Sequence, residues 1–230
     1  MKQRNVWLDL WRSLVVCIML VFHALWDLEQ FGVLPAGTME TPLADIVRYF
    51  GGGSFILISG MLVCSSRDPV RRGFRILCIG LAVAVVTALV GLPVKFGILE
   101  LLGLCMLLCG VLREPLRRAR SLAFFGVFLL LFVGSWALTA RVRVSVPFLY
   151  PIGLRTEEFY SADYWPVIPW AFLYLLGVPL AALLHLENAP PPHRAVPAAL
   201  TFPGRHSLVI YLVHQPVFYG ICWLFLRNPA

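Results

Sequence analysis

The chain has 230 residues, of which 60% are apolar, a mean hydropathy of +0.82 and a formal net charge of +7. Soluble domains contain about 45–50% apolar residues, so this composition excludes an ordinary soluble domain and indicates a protein built for lipid. We therefore expect the lipid bilayer as its surroundings and no nucleic-acid partner.

Apolar segments of about 20 residues recur along the chain, and each is about long enough to cross a hydrocarbon core of about 30 Å. The predicted spans are 7–30, 43–65, 73–94, 96–112, 121–140, 165–186 and 206–226. The sequence therefore predicts an all-α, polytopic membrane helix bundle of about seven transmembrane helices. We expect these helices to form a single domain over residues 1–230.

The first span is not predicted to be a cleavable signal peptide, because its apolar stretch is long, it carries charges and no small-x-small site follows it. The loops predict the orientation. The N-terminus and segments 66–75, 113–120 and 187–205 hold twelve Lys and Arg residues, whereas the opposite loops and the C-terminus hold five. Because basic loops stay cytoplasmic, we expect a multi-pass inner-membrane protein with its N-terminus in the cytoplasm and its C-terminus outside.

The first span carries a stripe of ionisable residues. On a helix with about 100° per residue, Asp9, Arg12, His23 and Asp27 fall within an arc of about 60°. Ionisable side chains are costly in hydrocarbon, so they are rare there unless they face a bundle interior and have a function. For Asp9 and Arg12 a simpler alternative is an i,i+3 ion pair at the wet end of the helix.

His23 is the candidate general base of this stripe. It lies about 16 Å along the helix from Arg12, and Asp27 follows at i+4, where its carboxylate can hydrogen-bond an imidazole nitrogen and fix the tautomer. A histidine oriented by a carboxylate is an arrangement used for general base catalysis. The alternative is an interfacial helix end, where both side chains meet water.

The second and fourth spans add polar candidates. Asp45 and Arg48 are spaced i,i+3, and the glycines at 51–53 permit either close helix packing or the approach of a ligand. Glu100 is an isolated acid in the fourth span, where a carboxylate must be protonated, paired or facing a cavity. For Glu100, a cavity-facing role and a structural partnership with an arginine are both open.

The last span begins with "GRHSLVIYLVHQPVFYG", which places His206 at the cytoplasmic edge and His214 about 12 Å further in. Gln215 and Pro216 follow, and a proline kink explains Pro216 but not its polar neighbours.

Two loops complete the set of candidates. Arg71, Arg72 and Arg75 lie near a helix start, and guanidinium groups bind phosphates well, although a role in setting the topology is sufficient to explain them. The opposite loop, 141–164, is acidic at Asp163 and neighbouring positions, and its "RVRVSV" alternates like a short strand.

The chain resembles the heparan-alpha-glucosaminide N-acetyltransferase catalytic-domain family of bacterial membrane proteins. The resemblance lies in five stretches over residues 4–219, in the order the family shows: "RNVWLDLWRSLVVCIMLVFHALWDL", "FILISGM", "FGILELLGL", "DYWPVIPWAFLYLLG" and "GRHSLVIYLVHQP". The first stretch also holds Arg12-x10-His23, which is similar to the opening signature of the acyltransferase family 3 proteins. The family usually has Arg-Gly where this chain has Arg12-Ser13.

The resemblance implies a transmembrane acyltransferase that uses acetyl-CoA, or a related acyl-CoA, as cytoplasmic donor and an extracytoplasmic amino sugar or other glycan as acceptor, without a metal. The implied catalytic residues are His23 as base, Asp27 as its orienting group, and His214 or Arg12 as the group that stabilises donor charge or the developing oxyanion. The implied donor-binding residues are Asp9, Arg12, Arg71, Arg72, Arg75, Arg205 and His206. The implied cavity-lining residues are Arg48, Glu100, Asp163, Trp170 and Gln215.

Two other functions are compatible with the same residues. In a transporter or proton-coupled channel the buried charges would line a conduction path, although no convincing internal repeat of the kind common in transporters is visible. An enzymatically silent assembly subunit is the third hypothesis. The sequence leaves the acceptor, the acyl length and the formation of a homo-oligomer open.

Overall fold

The structure is a computed structural model and describes residues 5–186 and 196–226. These residues form α-helices and the connections between them, with no strand among them. The helices are α1 (Val6–Gln30), α2 (Pro42–Val63), α3 (Pro69–Leu89), α4 (Ile98–Val111), α5 (Arg113–Arg118), α6 (Leu122–Arg141), α7 (Val167–Leu183), α8 (Ala198–Arg205) and α9 (Ser207–Leu226). Short 3-10 helices lie at Thr38–Glu40 and Pro147–Ile152.

The helices confirm the predicted all-α, polytopic membrane architecture. Five described helices are long and apolar enough to cross a bilayer, namely α1, α2, α3, α6 and α9. The two other predicted spans form the shorter apolar helices α4 and α7, of 14 and 17 residues. Their lengths are about 21 and 26 Å, below the thickness of a hydrocarbon core of about 30 Å. All seven predicted segments are therefore helical, but two are shorter than predicted.

Two helices occupy segments that the sequence predicts as loops. Helix α5 follows α4 after one residue and buries Leu116 on one face, and α8 forms directly before the last span. The sequence signal for both is weak because each helix is shorter than three turns and contains a proline. Four of the basic residues counted for the predicted orientation lie outside the described residues, namely Lys2, Arg4, Arg194 and Arg227. Most of the predicted proline-rich connector 187–197 also lies outside them.

The chain forms two compact units. The first comprises Met1–Phe55 and Ala189–Ala230, and the second comprises Ile56–Asn188. Helices α1, α8 and α9 belong to the first unit and α3 to α7 belong to the second, while α2 begins in the first and ends in the second.

The first unit is built on α1, which packs against α8 and α9. Asn5 caps the start of α1, since its Oδ1 accepts hydrogen bonds from two backbone N–H groups of the first turn at 3.0 and 3.3 Å. At the other end, the Glu29 carboxylate accepts hydrogen bonds from the backbone N–H groups of Gly37 and Met39, at 2.6 and 2.8 Å. The connection from α1 to α2 is therefore held against the end of α1.

In the second unit α3 packs against α4, α4 against α7, and α6 against α7. Asp68 caps α3 by accepting a hydrogen bond from the Arg71 backbone N–H at 2.9 Å. Helices α3 and α4 approach closely at two glycines. A Cβ added at Gly73 would lie 2.7 Å from the Leu107 backbone nitrogen. One added at Gly103 would lie 2.5 Å from the Leu77 backbone nitrogen.

The connection 142–166 contains no strand, so the predicted strand at "RVRVSV" is wrong. The described part of this connection has one β-type bridge, between Arg143 and Arg155, and no neighbouring run of residues extends the pairing. Aromatic contacts hold the segment instead. The rings of Tyr150 and Tyr164 lie 5.4 and 4.7 Å from that of Phe159, and the Tyr164 hydroxyl donates to the Tyr150 carbonyl at 2.6 Å. Burial raises the pKa of Tyr164 to about 12, so this donor keeps its proton at neutral pH.

Helices α2 and α7 approach closely at two glycines of the second unit. A Cβ added at Gly60 would lie 1.8 Å from the Tyr174 carbonyl oxygen, and one added at Gly177 would lie 2.5 Å from the Met61 backbone nitrogen. Small residues permit this approach, and close packing drives helix association where the surrounding lipid is as apolar as the side chains. A Cβ at Gly51 would meet a side chain only at 3.8 Å, so close packing does not require glycine there.

Replacing Gly60 with alanine should destabilise the protein, because the new methyl group would overlap the backbone of α7. Overpacking of this kind costs about 1–3 kcal/mol or more, so we expect a clearly lower Tm for the detergent-solubilised protein. Gly126→Ala in α6 is the matched control, since nothing lies within 4 Å of the position of its Cβ. Equal Tm values for the two variants would contradict the close approach of α2 and α7.

Candidate active site

The predicted ionisable stripe lies on one continuous helix, α1. Asp9 and Asp27 are 3% and 0% exposed, whereas Arg12 and His23 are half-buried. Helices α8 and α9 pack against α1 and supply the polar groups that meet the stripe. These groups divide it into two clusters, one in each half of α1.

The first cluster centres on the Asp9 carboxylate. Arg12 Nη1 lies 3.6 Å from Asp9 Oδ1, which confirms the predicted i,i+3 pair, and Arg205 Nε of α8 lies 3.5 Å from Oδ2. The Arg205 side chain is 41% exposed, so it can meet a ligand while it stays tied to α1. His206 follows in the chain and is exposed, with its ring centroid 4.2 Å from that of Phe202. Three of the predicted donor-binding residues, Asp9, Arg12 and Arg205, therefore lie together, and His206 adjoins Arg205 in the chain.

Ser13 joins α1 to α8 beside this cluster. Its hydroxyl donates to the Asp9 carbonyl at 2.9 Å and accepts from the Gly204 backbone N–H at 2.9 Å. A Cβ added at Gly204 would lie 2.2 Å from the Asp9 carbonyl oxygen, so only glycine allows this approach. The sequence predicts neither role, because Ser13 and Gly204 are 191 positions apart in the chain and meet only where α1 packs against α8.

The second cluster contains His23 of α1 and His214 of α9, whose ring centroids lie 4.7 Å apart in an edge-to-face arrangement. His23 Nδ1 lies 2.9 Å from the Met19 carbonyl oxygen, and His214 Nδ1 lies 2.6 Å from the Tyr211 carbonyl oxygen. A carbonyl oxygen only accepts hydrogen bonds, so each neutral ring carries its proton on Nδ1 and a lone pair on Nε2. Both histidines are therefore held in the tautomer that leaves Nε2 as a base.

The structure corrects the predicted role of Asp27. Its Oδ1 accepts a hydrogen bond from Gln215 Nε2 of α9 at 2.7 Å, and it makes no hydrogen bond to His23. The lean of helical side chains towards the N-terminus carries the His23 ring back to the Met19 carbonyl. Asp27 instead binds across to α9, which supplies the amide donor of Gln215. The backbone, and not the carboxylate, fixes the tautomer of His23.

The predicted acids of the second unit, Glu100 and Asp163, lie near each other at the start of α4. Glu100 lies in the first turn of α4 and is 4% exposed, and Asp163 Oδ2 accepts a hydrogen bond from the Ile98 backbone N–H at 3.0 Å. A Cβ at Gly97 would lie 3.3 Å from Glu100 Oε2 and 2.8 Å from Asp163 Oδ2. The expectation of an isolated acid at position 100 is therefore wrong, because the folded connection brings Asp163 to the start of α4.

The other predicted residues have surroundings of their own. Trp170 is buried in the second unit, with its ring 4.5 Å from Trp165 and 5.0 Å from Trp136. Arg48 pairs with Asp45 at 2.8 Å, as the spacing predicted, and the two side chains are 47% and 48% exposed. Three further arginines are exposed in the first two turns of α3, namely Arg71, Arg72 and Arg75.

The two clusters of the first unit offer different chemistry. The cluster at Asp9 pairs one carboxylate with two guanidinium groups, and such a positive site suits an anion such as a phosphate. The cluster at His23 offers an imidazole lone pair, which suits the removal of a proton. Arg12 and His23 are separated by about 16 Å along α1. Within residues 5–186 and 196–226, no group of three His, Cys, Asp or Glu side chains could hold a metal ion.

Comparison with known proteins gives one result. The model of the protein family described as "Heparan-alpha-glucosaminide N-acetyltransferase, catalytic" matches residues 4–216, which include α1 and the first half of α9. Searches of the curated proteins and of the solved structures give no match.

Ser13→Ala should destabilise the protein by about 1–3 kcal/mol, because the Gly204 backbone N–H would lose its acceptor in a buried contact. Thermal unfolding of the purified protein measures this loss as a lower Tm. The matched control is Ser135→Ala in α6, whose hydroxyl bonds only to carbonyls of its own helix. A loss no larger than that of the control would contradict the role of Ser13 in joining α1 to α8.

Proposed function

Because the chain belongs to the heparan-alpha-glucosaminide N-acetyltransferase catalytic family, we propose that it is a membrane acetyltransferase. It moves the acetyl group of cytoplasmic acetyl-CoA to an extracytoplasmic amino sugar or other glycan across the inner membrane. The observation that carries this proposal is the half-buried His23 imidazole, which the Met19 carbonyl holds with its lone pair on Nε2.

His23 is the general base of this mechanism. Its Nε2 takes a proton from the attacking group of the acceptor, and the positive charge that forms on the ring is stabilised by the Nδ1–H bond to the Met19 carbonyl. His214 packs edge-to-face against this ring and keeps its orientation.

The cluster at Asp9 binds the phosphates of the donor. Arg205 offers an exposed guanidinium group, Arg12 lies half-buried beside it, and Asp9 holds both in place. Guanidinium groups suit phosphate oxygens because they donate two parallel hydrogen bonds. The exposed arginines of α3 are a second set of candidate phosphate ligands. The excess of Lys and Arg on this side of the predicted topology supports a cytoplasmic donor.

The proposal is tested by incubating the purified protein with labelled acetyl-CoA and a panel of amino sugars. We expect label in an N-acetylated sugar. Passage of protons or of a sugar through sealed vesicles in the absence of acetyl-CoA, with no labelled product, would favour a transporter or channel instead.

His23→Ala should abolish transfer while folding and donor binding stay largely intact. The loss of a general base lowers kcat by about 10²–10⁴-fold. His185→Ala, at an exposed histidine just beyond the end of α7, is the matched control and should keep the wild-type kcat. Turnover of His23→Ala within about twofold of the wild type would end this assignment, and His214 would become the leading candidate.

Replacing the basic groups with glutamine should raise the KM for acetyl-CoA with a smaller change in kcat, because phosphate contacts contribute equally to ground-state and transition-state binding. Arg205→Gln tests the cluster at Asp9, and a triple variant of Arg71, Arg72 and Arg75 tests the start of α3. Arg141→Gln, at the end of α6, is the control. An unchanged KM in a correctly inserted variant would leave those arginines only a role in topology.

A further inference from the structure

Two basic segments of the second unit lie side by side, although 38 residues separate Arg75 from Arg113 in the chain. A Cβ added at Gly110, in the last turn of α4, would lie 3.0 Å from the Val70 backbone nitrogen, so the end of α4 packs against the start of α3. Arg113 Nη2, at the start of α5, donates to the Ser66 carbonyl at 3.4 Å. These contacts bring the start of α3 and the start of α5 to the same end of the second unit.

The surface that results carries many arginines. We call it the basic corner and define it as residues 66–75 and 113–120. Its eight arginines are Arg67, Arg71, Arg72, Arg75, Arg113, Arg117, Arg118 and Arg120. Six of them are exposed and two are half-buried. The basic corner therefore presents a set of guanidinium groups on an open surface.

The basic corner contains only two acids, so its charge is far from balanced. The Asp68 carboxylate accepts a hydrogen bond from the Arg71 backbone N–H at 2.9 Å and caps α3. Glu114 Oε1 lies 3.5 Å from Arg117 Nη1, and both side chains are exposed. An ion pair in water contributes little, so Arg117 can exchange this partner for an external anion.

Exposed apolar side chains lie among the arginines. On α3, Val70 and Phe74 are spaced i,i+4 and share one exposed flank, and Arg71 and Arg75 share the next. Three more exposed apolar residues flank α5, namely Val111, Leu112 and Leu122. A surface of this kind suits a molecule that carries both an anionic group and apolar chains.

The position of the basic corner matches the surface of the bilayer. Helices α3 and α6 are long and apolar enough to span it, with 21 and 20 residues. The basic corner contains the first turns of α3 and ends two residues before α6 begins. Helix α6 buries none of its residues within the described chain, so lipid surrounds it. The arginines therefore lie where the hydrocarbon core meets the layer of lipid headgroups.

We propose that the basic corner binds anionic phospholipids of the leaflet that it faces. The guanidinium groups bind the headgroup phosphates, and the exposed apolar side chains contact the acyl chains. Basic clusters next to a membrane span attract anionic lipid. A role in setting the topology needs only the charge of each loop, and it does not account for the assembly of two loops and their apolar neighbours into one surface. The inference is independent of the proposed function.

The test measures the Tm of the detergent-solubilised full chain while phosphatidylglycerol or phosphatidylcholine with the same acyl chains is added. Both lipids carry a phosphate, but choline cancels its charge. At about 100-fold its Kd, phosphatidylglycerol should raise the Tm by about 5 °C more than phosphatidylcholine does. The difference should shrink in high salt, which screens exposed charges. Equal shifts with the two lipids would overturn the proposal.

Arg117→Gln/Arg118→Gln locates the effect without touching the arginines of α3 that are candidate donor ligands. This double variant should lose about half or more of the shift that is specific to phosphatidylglycerol. The matched control is Arg141→Gln/Arg143→Gln, which removes the same charge from two exposed arginines at the other end of α6 and should keep the shift. An equal loss in both variants would trace the effect to net charge and overturn the basic corner as the site.

Two more variants separate charge from folding. Arg117→Lys/Arg118→Lys keeps both positive charges and should keep most of the shift. Glu114→Gln removes an exposed acid of the basic corner and should enlarge the shift. If the glutamine double variant fails to fold, Glu114→Gln decides the matter, because a shift that stays the same or shrinks would contradict the proposal.

Sodium phosphate against sodium chloride at equal ionic strength distinguishes a lipid headgroup from a free phosphate. We expect no difference in Tm between these salts that depends on Arg117 and Arg118. A stabilisation by free phosphate as large as that by phosphatidylglycerol, and absent from Arg117→Gln/Arg118→Gln, would assign the basic corner to a soluble phosphate and overturn the lipid site.

Discussion

The burial of the ionisable face of α1 is the constraint on which the first unit depends. A charged residue at the centre of an apolar helix costs about 2.5–3.5 kcal/mol on insertion scales, and this cost falls when neighbouring helices supply partners. Helix α8 supplies Arg205 to Asp9, and α9 supplies Gln215 to Asp27. The packing of both helices on α1 is therefore tied to these polar contacts as much as to apolar burial.

The same constraint leaves two separate polar clusters along one helix. Arg12 and Arg205 share a carboxylate in one half of α1, and the two imidazoles face each other in the other half. In the proposed mechanism the phosphates of the donor stay near the first cluster, while the reacting thioester reaches the second. The distance of about 16 Å between Arg12 and His23 is then spanned by the flexible arm of the donor.

Much of this arrangement could be predicted from the sequence, because it depends on the period of a single helix. The stripe on α1 and its i,i+3 ion pair follow from the helical wheel. Contacts between helices could not be predicted in the same way. Asp27 has a possible partner at i−4 and another on α9, and only the packing of α1 against α9 shows that it binds Gln215. The hydrogen bond between Ser13 and Gly204 was missed for the same reason.

The central claim is that His23 receives a donor from one side of the membrane and an acceptor from the other. Vectorial transfer in sealed proteoliposomes tests it most directly, with labelled acetyl-CoA outside, glucosamine enclosed and the orientation established by labelling of a cysteine introduced within 113–120. The account predicts labelled N-acetylglucosamine inside those vesicles in which 113–120 face the donor. Product that forms only when both substrates are on the same side would contradict it.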